Sequence, residues 1–201
     1  GIRANTIYST DLYFDNATTI LCGTLAGVYI KAGAMPWSLI NSNVGHAVLF
    51  KPGNKNIIYV GSDMVVNKTT DGGAGWSSLY ITESLESHGV NALAIPAGSN
   101  NTVFAGIEFA SNTKGEIIKI TDDNATNFSN ATCNSVLATT APVNAITAHP
   151  TDPALPAGPV PVAGRPVPVD DDLDLVAGAR ADGRLRAGDR HAGAGLHVQP
   201  L

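Results

Sequence analysis

The sequence predicts an all-β chain made of short antiparallel strands gathered into units of similar length, and three observations predict it. The apolar runs are short and β-branched, as in Ile57-Ile58-Tyr59-Val60 and Met64-Val65-Val66, the composition of buried strands. Glycine or proline closes most of them and begins a polar turn. The same segment also returns along the chain. His46-Ala47-Val48-Leu49-Phe50-Lys51-Pro52, Asn91-Ala92-Leu93-Ala94-Ile95-Pro96 and Asn144-Ala145-Ile146-Thr147-Ala148-His149-Pro150 are three versions of one strand ending at proline. Ala47 and Ala92 lie 45 residues apart and Ala92 and Ala145 lie 53 apart, the excess falling in the Asn-rich stretch 124–134. Four short strands every 40 to 50 residues or so is the period of a sheet-repeat architecture.

In chain order, residues 6–9 and 12–14 are short strand candidates, and 18–23 (TTILCG) is the first strand ending in glycine. Residues 1–25 fit an incomplete first unit entered in mid-pattern, so upstream sequence is expected. Gly27-Val28-Tyr29-Ile30-Lys31 is a further strand leading to Trp37. After each of the first two proline-closed strands comes a Gly-terminated one, 57–61 and 102–106. Ile117-Ile118-Lys119-Ile120 precedes a second polar loop.

The loop Thr69-Thr70-Asp71-Gly72-Gly73-Ala74-Gly75-Trp76 carries the most specific signal. An Asp followed by glycines forms a turn for a physical cause: the carboxylate accepts N–H groups of its own loop, and glycine supplies the positive φ a tight hairpin needs. Trp76 follows at once and is delivered to a fixed place, where its indole N–H can be paired. This octet resembles the Asp-box, or BNR repeat, written Ser/Thr-x-Asp-x-Gly-x-Thr-Trp in the sialidase, sortilin and related β-propeller families. Thr69, Asp71, Gly73 and Trp76 match, and Gly75 stands where Thr is usual. Thr121, Asp123 and Phe128 keep the same spacing in a second copy in which Ala125 replaces the glycine. The segment leading to Trp37 is a weaker third copy with a shorter loop and no Asp.

The resemblance covers about residues 17–150. It implies a β-propeller-like fold of about three four-stranded antiparallel blades, in which the boxes serve the fold and lie away from any active site. Propellers close with about four to eight blades. Missing blades or a homo-oligomeric partner are therefore expected to cover the open sheet edges.

The composition narrows the function. A net charge of −5 and a pI near 5.4 argue against nucleic acid, which requires a basic face. No stretch has the length of apolar residues a membrane span needs. Only 14% of residues are charged, and Asn, Ser and Thr abound, a composition closer to an extracellular, cell-surface or periplasmic β protein than to a cytosolic enzyme. Gly1 is not an initiator methionine, which suggests a processed or trimmed chain. Cys22 and Cys133 have no zinc spacing; they are two free thiols or, in an oxidising compartment, a pair joining distant units. Sequons at Asn16, Asn67, Asn100, Asn124, Asn127 and Asn130 are possible glycosylation acceptors and imply surface loops.

After Pro150 the chain changes. Residues 151–201 are a low-complexity tail of Pro, Ala, Gly, Val, Leu, Asp and Arg, holding five of the six arginines and none of the lysines. It reads either as a Pro-rich linker with an irregular end or as a segment translated out of frame from near residue 153. Its cluster Asp170-Asp171-Asp172-Leu173-Asp174 lacks the Gly and distal Glu of a calcium loop and reads as a solvated charge run.

No catalytic residues, metal site or cofactor are assigned. His46, His88, His149, His191 and His197 show no ligand spacing, and no nucleophile motif is present. Asp11, Asp15, Asp63, Glu83, Glu86, Glu108 and Glu116 are available for the paired carboxyls of a glycosidase. Sialidases bind the substrate carboxylate with three arginines, whereas Arg3 alone precedes the tail. The sequence thus points to a non-catalytic binding or scaffold module for a protein or glycan, with Asp63, Glu83, Glu86, His88, Glu108 and Lys114 as candidate ligand-facing loop residues. The alternatives are a fragment of a sialidase-type or xyloglucan-degrading glycoside hydrolase and an assembly factor resembling the photosystem II propellers.

Overall fold

The computed structural model describes residues 1–4, 6–15, 17–80, 87–96, 99, 101–109, 114–122 and 131–148, and in the tail the backbone of 175–178 and 197–198. Among these residues there is no helix. The first sheet contains β1 (Ile7–Phe14), β2 (Thr18–Thr24), β3 (Gly27–Ala32) and β4 (Ser38–Asn41). The second contains β5 (Ala47–Lys51), β6 (Asn54–Ser62), β7 (Val65–Thr69) and β8 (Ser77–Tyr80). The third contains β9 (Ser87–Ala94), β10 (Thr102–Phe109), β11 (Gly115–Thr121) and β12 (Thr132–Thr139). Each is an antiparallel, blade-like meander in chain order. A further strand, β13 (Ala145–Ala148), follows the third sheet.

Four details depart from the sequence expectation. Residues 7–41 form a complete four-stranded sheet, not an incomplete one, because Gly27–Ala32 is its third strand. Residues 7–14 form one strand instead of two. Met64 does not open β7: with Ser62 paired to Val65, it sits in the connecting turn at φ 60°. The tail, expected to be irregular, places the backbone of β14 (Leu175–Gly178) antiparallel to β13 and of β15 (His197–Val198) parallel to β14.

The sheets stack face to face, and β6 shows why its sequence is a continuous apolar run. Ile58 and Val60 pack with Leu21, Val28, Val48 and Phe50 in the seam between the first two sheets. Ile57 and Tyr59, pointing the other way, pack with Val66, Val90, Val103, Ala105, Ile107, Ile118 and Ile120 in the second seam. Successive side chains of a strand face opposite sides, so a sheet covered on both faces needs apolar residues at every position. The third seam is built likewise from Ala92, Ala94, Phe104, Ile117, Val143 and Ile146.

The glycines that recur in β2, β6 and β10 are explained by the same stacking. A Cβ on Gly61 would lie 2.5 Å from the Val90 carbonyl oxygen, one on Gly23 2.5 Å from that of Gly45, and one on Gly106 2.6 Å from Val143 Cγ1. Each glycine lets the following sheet approach at van der Waals distance.

Across the second seam, the Lys68 ammonium of β7 and the Asp122 carboxylate just beyond β11 form an ion pair, with side chains 1% and 2% exposed. Lys68 Nζ also lies 5.8 Å from the centre of the Tyr59 ring. Burial, and then the Asp122 charge, push the Tyr59 hydroxyl up from its ordinary pKa.

Candidate functional site

The first strands of the sheets begin at one end of the stack, where the second strands finish, and there the strand pairing becomes irregular. Ile7 pairs with Thr24 and Ser9 with Gly23, leaving Tyr8 as an extra residue. On β9, Val90 pairs with Ile107 and Ala92 with Gly106, leaving Asn91 extra. On the second sheet, His46 N–H donates to the Gly61 carbonyl at 2.8 Å while Ala47 also faces Gly61. An extra residue in one strand of a pair re-aims its side chain. Tyr8, His46 and Asn91, each just before a small residue opposite the glycine of the second strand, turn toward one place, and Asn144, just before β13, joins them.

Together with Glu108 of β10 they line an open cavity of about 330 Å³, within the range of small-ligand sites. Asn91 Nδ2 donates to Glu108 Oε2 at 2.5 Å and to Asn144 Oδ1 at 3.3 Å. The Tyr8 and His46 rings, which also line the cavity, lie 5.0 Å apart at 57°, and Tyr8 is 45% exposed. His46 Nε2 lies 2.7 Å from Asp63 Oδ1. The cavity thus combines an amide–carboxylate chain, which fixes the Glu108 carboxylate, with a reachable aromatic face. Among the described residues no Lys or Arg lines it.

Asp63 opens onto a second cavity of about 410 Å³, lined by Ser42, Asn43, Val44, Ser62 and Val65. Its side chain is 67% exposed, against 19% for His46.

The loop from Thr69 to Trp76 leaves β7 at the opposite end of the sheet from the Ser62–Val65 turn. Thr69 Oγ1 donates to Asp71 Oδ1 at 2.7 Å and accepts the Gly73 N–H at 3.0 Å, and Asp71 Oδ1 accepts the Gly75 N–H at 2.8 Å. The Gly75 N–H first, then the Thr69 hydroxyl, hold the Asp71 carboxyl below its ordinary 3.8. Gly72 and Gly73 have φ of 73° and 106°. The Trp76 indole N–H is shared between the carbonyls of Ile40, at 2.9 Å, and Gly73, at 3.1 Å, which ties this loop to β4 of the first sheet. Of the second copy, Thr121 ends β11 opposite Thr102; Asp123 and Phe128 lie outside the described residues.

Among the ligand-facing candidates, the structure brings Glu108 into the first cavity and Asp63 to its margin. Lys114 is exposed just before β11 and lines neither. His88 is described by its backbone alone, and Glu83 and Glu86 lie outside the described residues. Asp11 and Asp15, considered as acids, serve the first seam: Asp11 Oδ2 accepts the Phe50 N–H at 2.7 Å and Asp15 pairs with Lys55.

Asn67 corrects the sequon assignment, for it is not on a surface loop. It lies on β7, 2% exposed, with its amide oxygen accepting from Ser78 Oγ and its nitrogen donating to Ser62 Oγ, which leaves no room for a glycan. Asn16, Asn100, Asn124, Asn127 and Asn130 lie outside the described residues. Cys22 is buried and Cys133 half-buried, both are free thiols, and burial raises the pKa of each.

Tyr8, Asn91 and Asn144 were not singled out from the sequence, and His46 was read as a strand-end residue. One signal was available: a polar residue stands before the alanine in all three proline-closed strands, His46-Ala47, Asn91-Ala92 and Asn144-Ala145. The profiles of known protein families match no part of the chain, and no curated protein matches it significantly.

Proposed function

We propose that this chain is a non-catalytic, propeller-like binding module whose ligand is a neutral glycan held in the cavity of Tyr8, His46, Asn91, Glu108 and Asn144. The observation that carries this reading is the convergence on a single cavity of residues in or just before four successive first strands, two of them, Tyr8 and Asn91, re-aimed by an irregular register. Amide and carboxylate groups held in a fixed chain suit vicinal hydroxyls, which both donate and accept. An exposed Tyr face suits the apolar face of a sugar ring. Among the described lining residues there is no cation, which favours neutral over acidic sugars and phosphates.

A hydrolase fragment is the second reading, favoured by the presence of Glu108 in the cavity. Hydrolysis needs two carboxyl groups facing the scissile bond. Glu108 is the one carboxylate among the described lining residues, and Asp63 stands behind His46. Binding therefore accounts for the site with fewer parts.

The outer face of the first sheet exposes Leu12 (48%), Phe14 (73%) and Leu39 (52%). Apolar exposure of this kind on a sheet fits a face covered by further blades or by another copy of the chain. An extracytoplasmic location agrees with a glycan ligand.

An array of immobilised neutral oligosaccharides tests the proposal. Binding to at least one sugar, lost in Glu108→Gln and in Asn144→Ala, is the expected result. No signal for any sugar would overturn the ligand class, and turnover of aryl glycosides by the purified chain would overturn the non-catalytic assignment.

A further inference from the structure

We infer that the site reads a chain of at least two sugar units, with the first unit in the cavity of Tyr8, Asn91, Glu108 and Asn144 and the next in the cavity beyond Asp63. This rests on the glycan reading above and extends it. The two cavities, about 330 and 410 Å³, have the same size class and share one wall, the pair His46–Asp63 in contact at 2.7 Å. They are also joined through the chain. Val44 lines the second and His46 the first, so their Cα atoms are at most about 7 Å apart, a step of one sugar unit.

The wall is built to be shared. Asp63 points one carboxylate oxygen at His46 and is 67% exposed, so its other oxygen is reachable from the second cavity. A carboxylate can accept from several hydroxyls at once. The other described lining residues are Ser42, Asn43, Val44, Ser62 and Val65, none of them a cation, so a neutral ligand meets the same chemistry on both sides. A single sugar would leave one of the two cavities to water; an oligomer fills both and gains a second set of contacts as one molecule.

The test measures affinity for neutral oligosaccharides of one to four units, by the same array and then by calorimetry on the sugar that binds. Affinity is expected to rise about tenfold or more from one unit to three. Asn43 and Ser42 are exposed residues of the second cavity with no part in the first. Asn43→Trp, and separately Ser42→Tyr, should lower oligomer affinity to that of the monosaccharide and leave monosaccharide affinity unchanged, with unaltered thermal midpoints. Equal affinity for all lengths, or length dependence that survives both variants, overturns the inference while the single-sugar site stands. Absence of binding at every length overturns the glycan reading and the inference together.

Discussion

The two seams that flank the second sheet solve one packing problem differently. Between the first and second sheets the apolar cluster is accompanied by neutral buried groups such as Asn67, and other polar groups act at its edges: Asp11 caps the Phe50 N–H, Ser9 Oγ accepts the Val48 N–H at 3.3 Å, and Trp76 reaches the Ile40 carbonyl. Between the second and third sheets an ion pair, Lys68–Asp122, is taken into the interior, and Asp122 Oδ1 has no hydrogen-bond partner among the described residues. Edge hydrogen bonds can exchange with water and cost little to lose. A buried charge cannot, so the second seam tolerates one register of the two sheets and punishes any other.

The largest expected effect therefore lies in the second seam. Lys68→Met leaves the Asp122 carboxylate buried without its counter-ion and should destabilise the chain by about 3–5 kcal/mol. The double variant Lys68→Met/Asp122→Leu should recover most of that loss, since a well-packed apolar pair of similar volume often matches a buried ion pair. Urea unfolding of the three proteins measures both. A double variant as unstable as the single one would show that the pair contributes net stability beyond its own desolvation. Asp15→Asn, which removes the exposed Lys55 partner in the first seam, should leave the urea midpoint unchanged.

Sterically the seams should behave alike. Gly61→Ala sets a methyl 2.5 Å from the Val90 carbonyl oxygen in the second seam, and Gly23→Ala sets one 2.5 Å from the Gly45 oxygen in the first. Backbone oxygen cannot move aside as a flexible side chain can, so each should cost about 1–3 kcal/mol. Unequal midpoints would mean that one seam is loose enough to open around a methyl group.

The strands of both seams were legible in the sequence because a blade covered on two faces writes an unbroken β-branched run, as at Ile57 to Val60. The glycines of β2, β6 and β10 were legible as a repeat, though not as close approaches, since the approaching atoms come from another sheet. The completeness of the first sheet was obscured by β4, four residues long, two of them exposed. Met64 was misplaced because an apolar side chain says nothing of a positive φ. In the site, Glu108 and Asp63 could be found as carboxylates near turns. Tyr8 and Asn91 could not, because a bulge is set by how two strands register and no propensity of Tyr or Asn announces it.

The indole bridge of the first seam gives a smaller effect. Trp76→Phe keeps an aromatic ring on the cluster of Leu21, Val28 and Ile58 but removes the donor shared by the Ile40 and Gly73 carbonyls. About 1 kcal/mol is expected, read from thermal or urea unfolding. A loss well above that would place the contribution of Trp76 in ring packing instead.

A smaller effect again, and the one that separates charge from shape in the loop behind Trp76, concerns Asp71. Its carboxyl is held below the ordinary 3.8 by the Gly75 N–H and the Thr69 hydroxyl, so the ionised form is the one the folded loop prefers. A depressed folded pKa contributes stability that is present above 3.8 and is lost as the pH falls toward the folded value. Asp71→Asn keeps an oxygen for Gly75 but no charge. Its thermal midpoint should lie below that of the parent chain at neutral pH, and the gap should narrow as the pH is lowered through 3.8, because the parent alone loses a carboxylate. Parallel midpoint curves would show that the loop needs only the oxygen. Since Asp71 is exposed at the edge of the first seam, its charge is screened by water and salt where that of Asp122 is not, and the two carboxylates then mark the extremes of what a charge contributes in this fold.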